Sequence, residues 1–442
     1  MRLSLILTFV LSLAGVAFAA EERLSDRVFF VRDKPGSPTK FQMIVNAGCH
    51  DEAAGQCLGL AHYLEHIVLV GRNPEHKDSA VRMFAGASAN GWTNQRATVY
   101  IHTIAPKEGP ATAELEQLFG FYAARLKDFT ITDEDAARER NVVLQEHDVN
   151  YASSPYRLFY RDLYRKLLPD HVSGQWTIGT QETIKAFTTE QARAFHKNWY
   201  VINNVWFVVS GDLEPAAVKA IAEKALAGLE ARALPPRNFS HRPEVPNELI
   251  EDQKADVRVK QPGAIVYKLV RMPERDIIEN RAQRRLLGAF LASQLPGSPY
   301  VVLNESKKLT SGRIFTSIER VAPETFVISL SASTAPDVDR ALLRTELAAY
   351  LNGLGDNAGM SDEAFARLKK RITLAQEEAD EDPRRVFSRL IDWLANRNDY
   401  AELARWPERL QAVEPAAVRD MAKAFAGPGR TIVATIGPEA KP

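Results

Sequence analysis

Gly59-Leu60-Ala61-His62-Tyr63-Leu64-Glu65-His66 opens an apolar run that continues to Val70 and is followed by Gly71 and Pro74. The run predicts a buried helix over residues 58–70, ended by the glycine and proline. On such a helix His62 and His66 are four residues apart, so both imidazoles leave the same face about one turn apart, a spacing that can chelate a metal ion. Glu65, three residues after His62, shares that face and can reach a water at the ion without being a ligand. The order His-x-x-Glu-His inverts the commoner His-Glu-x-x-His. The competing reading is a set of ordinary polar residues on a partly exposed helix, and a third ligand in a sensible place would weigh against it.

A catalytic zinc ion takes three protein ligands and keeps a fourth position open. A helical stretch predicted over residues 133–150 carries Glu139 and Glu146, seven apart and so stacked on one face two turns apart. Either could close the site, although a lone glutamate on a helix is more often a solvated charge. His147 points roughly 100° away from Glu146 around the helix and is not expected to bind the same ion.

Around this centre strands and helices are mixed. Residues 28–31 and 41–45 read as a hairpin across the Asp33-Lys34-Pro35-Gly36 turn, with Phe41, Met43 and Val45 on the face given to a core. Further strands are predicted over 98–103, 205–209, 264–269, 325–331 and 431–436. Helices are predicted over 111–126, 188–199, 215–229, 282–295, 338–354, 362–379 and 415–425. The closing helix and strand repeat the order of residues 188–209, as two halves of one design would. Pro235, Pro236, Pro243 and Pro246 mark residues 234–251 as the linker between a domain over 20–233 and another over 252–442.

At 442 residues the chain exceeds the usual size of a single core. Lysine plus arginine equal aspartate plus glutamate at 56 each, which excludes the basic footprint of a nucleic-acid partner. Arg2, the apolar residues 3–18 and Ala17-Phe18-Ala19 read as a secretory signal peptide over 1–19, too short to span a bilayer. No later segment reads as a membrane span, so a periplasmic location is expected if the source is Gram-negative. The chain has two cysteines, Cys49 and Cys57. In an oxidising compartment they could pair and pin the loop that enters the helix; two small buried thiols are the alternative.

From about Asp26 to Pro438 the sequence resembles the insulinase/pitrilysin metallopeptidases, which include the mitochondrial processing peptidases. Gly59 to His66 is similar to that family's metal helix, and Glu139 to Glu146 to its downstream glutamate pair. The resemblance implies that His62, His66 and Glu146 hold one zinc ion, that Glu139 supports them, and that Glu65 is the general base. It also implies that Ala89-Asn90-Gly91 is the edge that contacts substrate. The implied fold is α+β: two related domains, each a mostly antiparallel sheet covered by helices. Residues 178–180, 199–200 and 208–212 resemble the scaffold that follows.

One departure matters. Active members carry, in a second half or a partner chain, an arginine and a tyrosine seven residues apart that hold the substrate. Here Asn304 and Ser311 stand in their place, and Tyr300 and Arg313 fit neither the order nor the spacing. The expectation is therefore a zinc-dependent endopeptidase acting on extended peptides, completed by a homologous second subunit. A non-catalytic peptide-binding or assembly subunit and a structural metal site are the rival readings. Four protein ligands, cysteines among them, would be usual for the latter.

Overall fold

The computed structural model describes residues 21–52, 56–71, 87–106, 108–237, 242–274 and 276–438, so the expected signal peptide lies outside the described residues. Among these, the first half contributes strands β1 (Glu21–Arg23), β2 (Val28–Arg32), β3 (Thr39–Val45), β4 (Ala87–Thr93), β5 (Thr98–Ile104) and β6 (Val205–Gly211). The second half contributes β7 (Glu248–Ala255), β8 (Gly263–Arg271), β9 (Thr310–Ala322), β10 (Thr325–Thr334) and β11 (Arg430–Gly437). The two sheets run β1-β2-β6-β3-β5-β4 and β7-β11-β8-β10-β9.

With β1 set aside, the two sheets share one topology. The first and last strands of each half pair in parallel, β2 with β6 and β7 with β11. The last strand then pairs antiparallel with the second, β6 with β3 and β11 with β8. The repeated helix and strand at the two ends are thus part of a repeat that spans both halves, and the fold is α+β with two related domains.

The hairpin expected between residues 28–31 and 41–45 does not form. β6 lies between the two strands, with Val209 opposite Phe30 on one side and Phe41 on the other. Crossing one intervening strand requires about 10 Å, which the six residues 33–38 span easily. Val28 to Val31 are buried on both faces, and a strand of that kind belongs inside a covered sheet. The end of the expected linker, Glu248–Glu251, is already strand β7, whose half-exposed, charge-rich sequence hides it.

Phe41, Met43 and Val45 face a core with Phe207, Val209 and Tyr100, closed by helices that include Leu60–Val70, Thr112–Asp128, Asp133–His147 and Thr189–Trp199. The other face of this sheet, with Phe29, Val31, Ile44, Val99 and Val208, is covered by Val386, Phe387, Leu390 and Ile391 of the helix Pro383–Ala395. The first half returns the arrangement. Phe159, Leu163 and Leu167 of the helix Pro155–Leu167 pack on Ile265, Leu269, Val327 and Ile432 of the second sheet. Each exchanged helix starts with proline in its first turn and a capping side chain, Ser154 accepting from Arg157 N and Asp382 from Arg384 N. Burying each large apolar side chain contributes roughly 1.5–3 kcal/mol, so the two sheets depend on each other. No helix among the described residues is long and apolar enough to cross a membrane.

Candidate metal centre

The helix Leu60–Val70 is fixed at its start by packing that only glycine allows. Gly59 sits at φ +95°, and a Cβ there would lie 2.1 Å from the carbonyl oxygen of Ile178. Thr183 Oγ1 donates to Leu58 O at 2.7 Å, so the segment after Ile178 braces the helix entrance. The first amides of the helix lack partners within it. Glu52 accepts from three in this region: Leu58 N at 2.6 Å, Gly59 N at 3.0 Å and Ala61 N at 2.9 Å. Its charge also complements the positive helix end, while burial pushes its carboxyl up to about 7 against those hydrogen bonds. Sequence reasoning passed over Glu52; its signal was an acidic residue in a short loop directly before a helix. That loop is closed by the Cys49–Cys57 disulfide, with the Cα atoms 4.8 Å apart.

Ala61, Tyr63, Leu64, Ile67 and Val68 face the core, which turns the two histidines toward the helix Asp133–His147. Tyr63 ties the helices together by donating to Ala136 O at 2.5 Å. Glu146 Oε2 lies 3.5 Å from His62 Nε2 and 3.2 Å from His66 Nε2. All three candidate ligand atoms lie within 4.8 Å of one another. Donors about 2.05 Å from a tetrahedral zinc stand about 3.3 Å apart, so this donor set fits the ion in chemistry and in spacing. Among the described residues, His62 Nδ1 is buried with no hydrogen-bond partner. His66 Nδ1 lies 3.7 Å from Glu139 Oε2, and Glu139 is itself held by Arg138 Nε at 2.9 Å. Glu139 and Glu146 thus meet the same imidazole from two turns of one helix.

Burial, followed by the charge of His66, holds His62 neutral, down to about 4. Burial also opposes charge on His66, but the neighbouring carboxylates of Glu139, Glu146 and Glu65 together outweigh it and raise that group to about 9. Glu146 is correspondingly lowered, first by its hydrogen bond with His66.

Glu65 is 4% exposed and points to the β4 edge rather than joining the three candidate ligands. Thr93 Oγ1 donates to its Oε2 at 2.6 Å. Its Oε1 lies against Gly91, where a Cβ would stand 2.4 Å away. Burial raises the Glu65 carboxyl to about 7, a value suited to taking up and giving back a proton near neutrality.

Ala89, Asn90 and Gly91 lie on β4, which has no strand on its outer side among the described residues. Asn90 is exposed, and its Oδ1 accepts from Gly91 N at 2.8 Å. His147 is apart from the cluster, with Nδ1 3.4 Å from Asp148 Oδ1. In the second half, Tyr300–Ser306 forms a wide helical turn in which Asn304 Oδ1 accepts from Thr310 Oγ1 at 2.8 Å. Ser311 follows, exposed, near the start of β9. The Arg313 side chain lies outside the described residues.

Residues 27–174 match insulinase (peptidase family M16), and residues 186–372 match the peptidase M16 inactive domain. The Escherichia coli protein named probable zinc protease PqqL is 24% identical over 372 residues, covering 77% of this chain and 35% of its own length. The uncharacterized zinc protease YmxG of Bacillus subtilis is 22% identical over 176 residues, 39% of this chain and 41% of its own. The chain therefore spans less than half the length of these relatives by the aligned segments. Among solved structures, a protease from Helicobacter pylori superposes with a TM-score of 0.75 at 18% identity, covering 93% of this chain and 97% of that one. The first half of the periplasmic protease PqqL superposes with a TM-score of 0.74 at 19% identity, covering 94% and 91%. With its two matched regions taken together and the fold they accompany, the chain belongs to the insulinase (M16) peptidase family.

Proposed function

We propose that this chain is a zinc-dependent endopeptidase acting on extended peptides or unfolded polypeptides. The observation that carries the reading is Glu146 Oε2 facing both His62 Nε2 and His66 Nε2, with the Glu65 carboxylate beside them at a sheet edge. When bound, zinc supplies Lewis-acid polarisation of the scissile carbonyl and lowers the pKa of a water to about 7. Glu65 takes a proton from the attacking water and passes it to the leaving amine. Glu139 orients His66 and keeps it a good ligand. The peptide lies as an added strand along β4, held by main-chain hydrogen bonds at Ala89, Asn90 and Gly91, which favours unfolded chains.

Asn304 and Ser311 offer neither an arginine nor a tyrosine to the substrate, so a homologous second subunit completes the site. The same substitution favours the second reading, a peptide-binding or assembly subunit without turnover, and the match of residues 186–372 to a domain called inactive agrees with it. Removal of residues 1–19 on export to the periplasm is consistent with the Cys49–Cys57 disulfide and with PqqL being called a periplasmic protease. The test is cleavage of a quenched fluorescent peptide library by the zinc-loaded chain, alone and with candidate partner subunits. Cleavage on adding a partner supports the reading; a fully active monomer removes the second subunit, and no cleavage with any partner leaves the binding-subunit reading.

A further inference from the structure

Glu65 has two carboxylate oxygens, and only one can serve the reaction at a time. Their surroundings differ. Oε2 accepts from Thr93 Oγ1 at 2.6 Å, whereas Oε1 faces the backbone of Gly91 on the open strand. Thr93 is the last residue of β4 and pairs directly with Thr98, the first of β5. Its hydroxyl lies 3.4 Å from Thr98 Oγ1, which is fully buried and donates to Ala47 O at 2.9 Å. The turn between them is closed by Asn94 N donating to Ala97 O at 2.9 Å and by Asn94 Oδ1 accepting from Arg96 N and Ala97 N at 2.7 and 2.8 Å. A hydroxyl held this firmly has one strong acceptor in reach, and it fixes the rotation of that carboxylate.

We propose that Thr93 is a positioning residue for hydrolysis: its hydroxyl ties down Glu65 Oε2 and so dedicates Oε1, beside Gly91, to proton transfer. This rests on the peptidase reading above. As the water oxygen bonds to the carbonyl carbon, one water proton goes to Oε1. As the C–N bond breaks, that proton goes to the amide nitrogen, leaving a carboxyl and an amine product from peptide and water. The Thr93 hydrogen bond stays on Oε2 throughout. Without it the carboxylate rotates and spends less time aimed at the water, which lowers kcat without altering zinc or peptide binding.

The test compares Thr93→Val, which keeps the shape and removes the hydroxyl, with Thr93→Ser, which restores it. The readouts are kcat, KM, peptide Kd, zinc content and Tm of the zinc-loaded chain with whatever partner wild-type cleavage requires. Thr93→Val is expected to lower kcat about 10- to 100-fold, the scale of a misaimed catalytic group, with KM, peptide Kd and zinc content unchanged and Tm lowered by a few degrees at most. Thr93→Ser is expected to recover most of the rate. Unchanged kcat in Thr93→Val, or a loss matched by falling zinc content or by unfolding at the assay temperature, overturns the positioning role while the peptidase reading stands. A wild-type chain that binds zinc and peptide but never cleaves overturns both.

Discussion

Arg397 of the second half forms an ion pair with Asp51 of the first, across 346 residues of sequence. Asp51 has no side-chain exposure and is also held by Arg237 of the intervening segment at 2.8 Å and by Gly48 N at 2.9 Å. Arg397 reaches Arg96 O with the same guanidinium. One carboxylate therefore joins both halves and the segment between them, directly before the loop that caps the candidate metal helix.

Replacing Asp51 with asparagine leaves two largely buried guanidinium groups without their counter-charge. Removing one partner of a buried pair costs about 3–5 kcal/mol. Urea unfolding of Asp51→Asn is expected to show a loss of this size. A midpoint like that of the wild type would mean that water compensates the arginines and that the cluster does not hold the halves together.

Glu65→Gln keeps the size of the side chain and its contact with Thr93 but cannot accept the water proton. Turnover is expected to fall by about 10²- to 10⁴-fold, the usual contribution of a general base. Zinc content and peptide Kd should match the wild type. If zinc is lost as well, Glu65 is acting as a ligand or a structural support.

Leu163→Ala and Leu390→Ala each empty a fully buried position on a helix that covers the opposite half's sheet. Each is expected to cost about 2–5 kcal/mol. Because the helices are exchanged, each change should lower one common thermal transition. Two separate transitions in calorimetry, with only one moved by each substitution, would show that the halves fold independently.

The candidate metal helix, the glutamate pair seven residues apart and the buried face of β3 could be read from the sequence because their information is local. Spacing alone puts His62, Glu65 and His66 on one face, and period two puts Phe41, Met43 and Val45 on one side of a strand. The insertion of β6 between β2 and β3 was not legible, since it depends on a pairing about 180 residues distant in the chain, read from the register of Phe30 with Val209. The helices Pro155–Leu167 and Pro383–Ala395 were passed over although their apolar residues recur at helical spacing, Phe159, Leu163 and Leu167 in one and Val386, Leu390 and Leu394 in the other; what the sequence does not carry locally is that each covers the opposite half's sheet. Glu52 and Thr93 were missed because an acidic loop residue and a strand threonine have no distinctive pattern until the backbone amides and the carboxylate they serve are brought beside them.

His62, His66 and Glu146 are proposed to hold one zinc ion. Zinc content of the purified chain beside that of Glu146→Gln, measured by elemental analysis after dialysis against metal-free buffer, decides whether they do. About one zinc per wild-type chain, the stoichiometry of a single three-ligand site, and a large loss in the variant are expected. Absence of zinc from the wild type, or equal zinc in both proteins, would rule this site out.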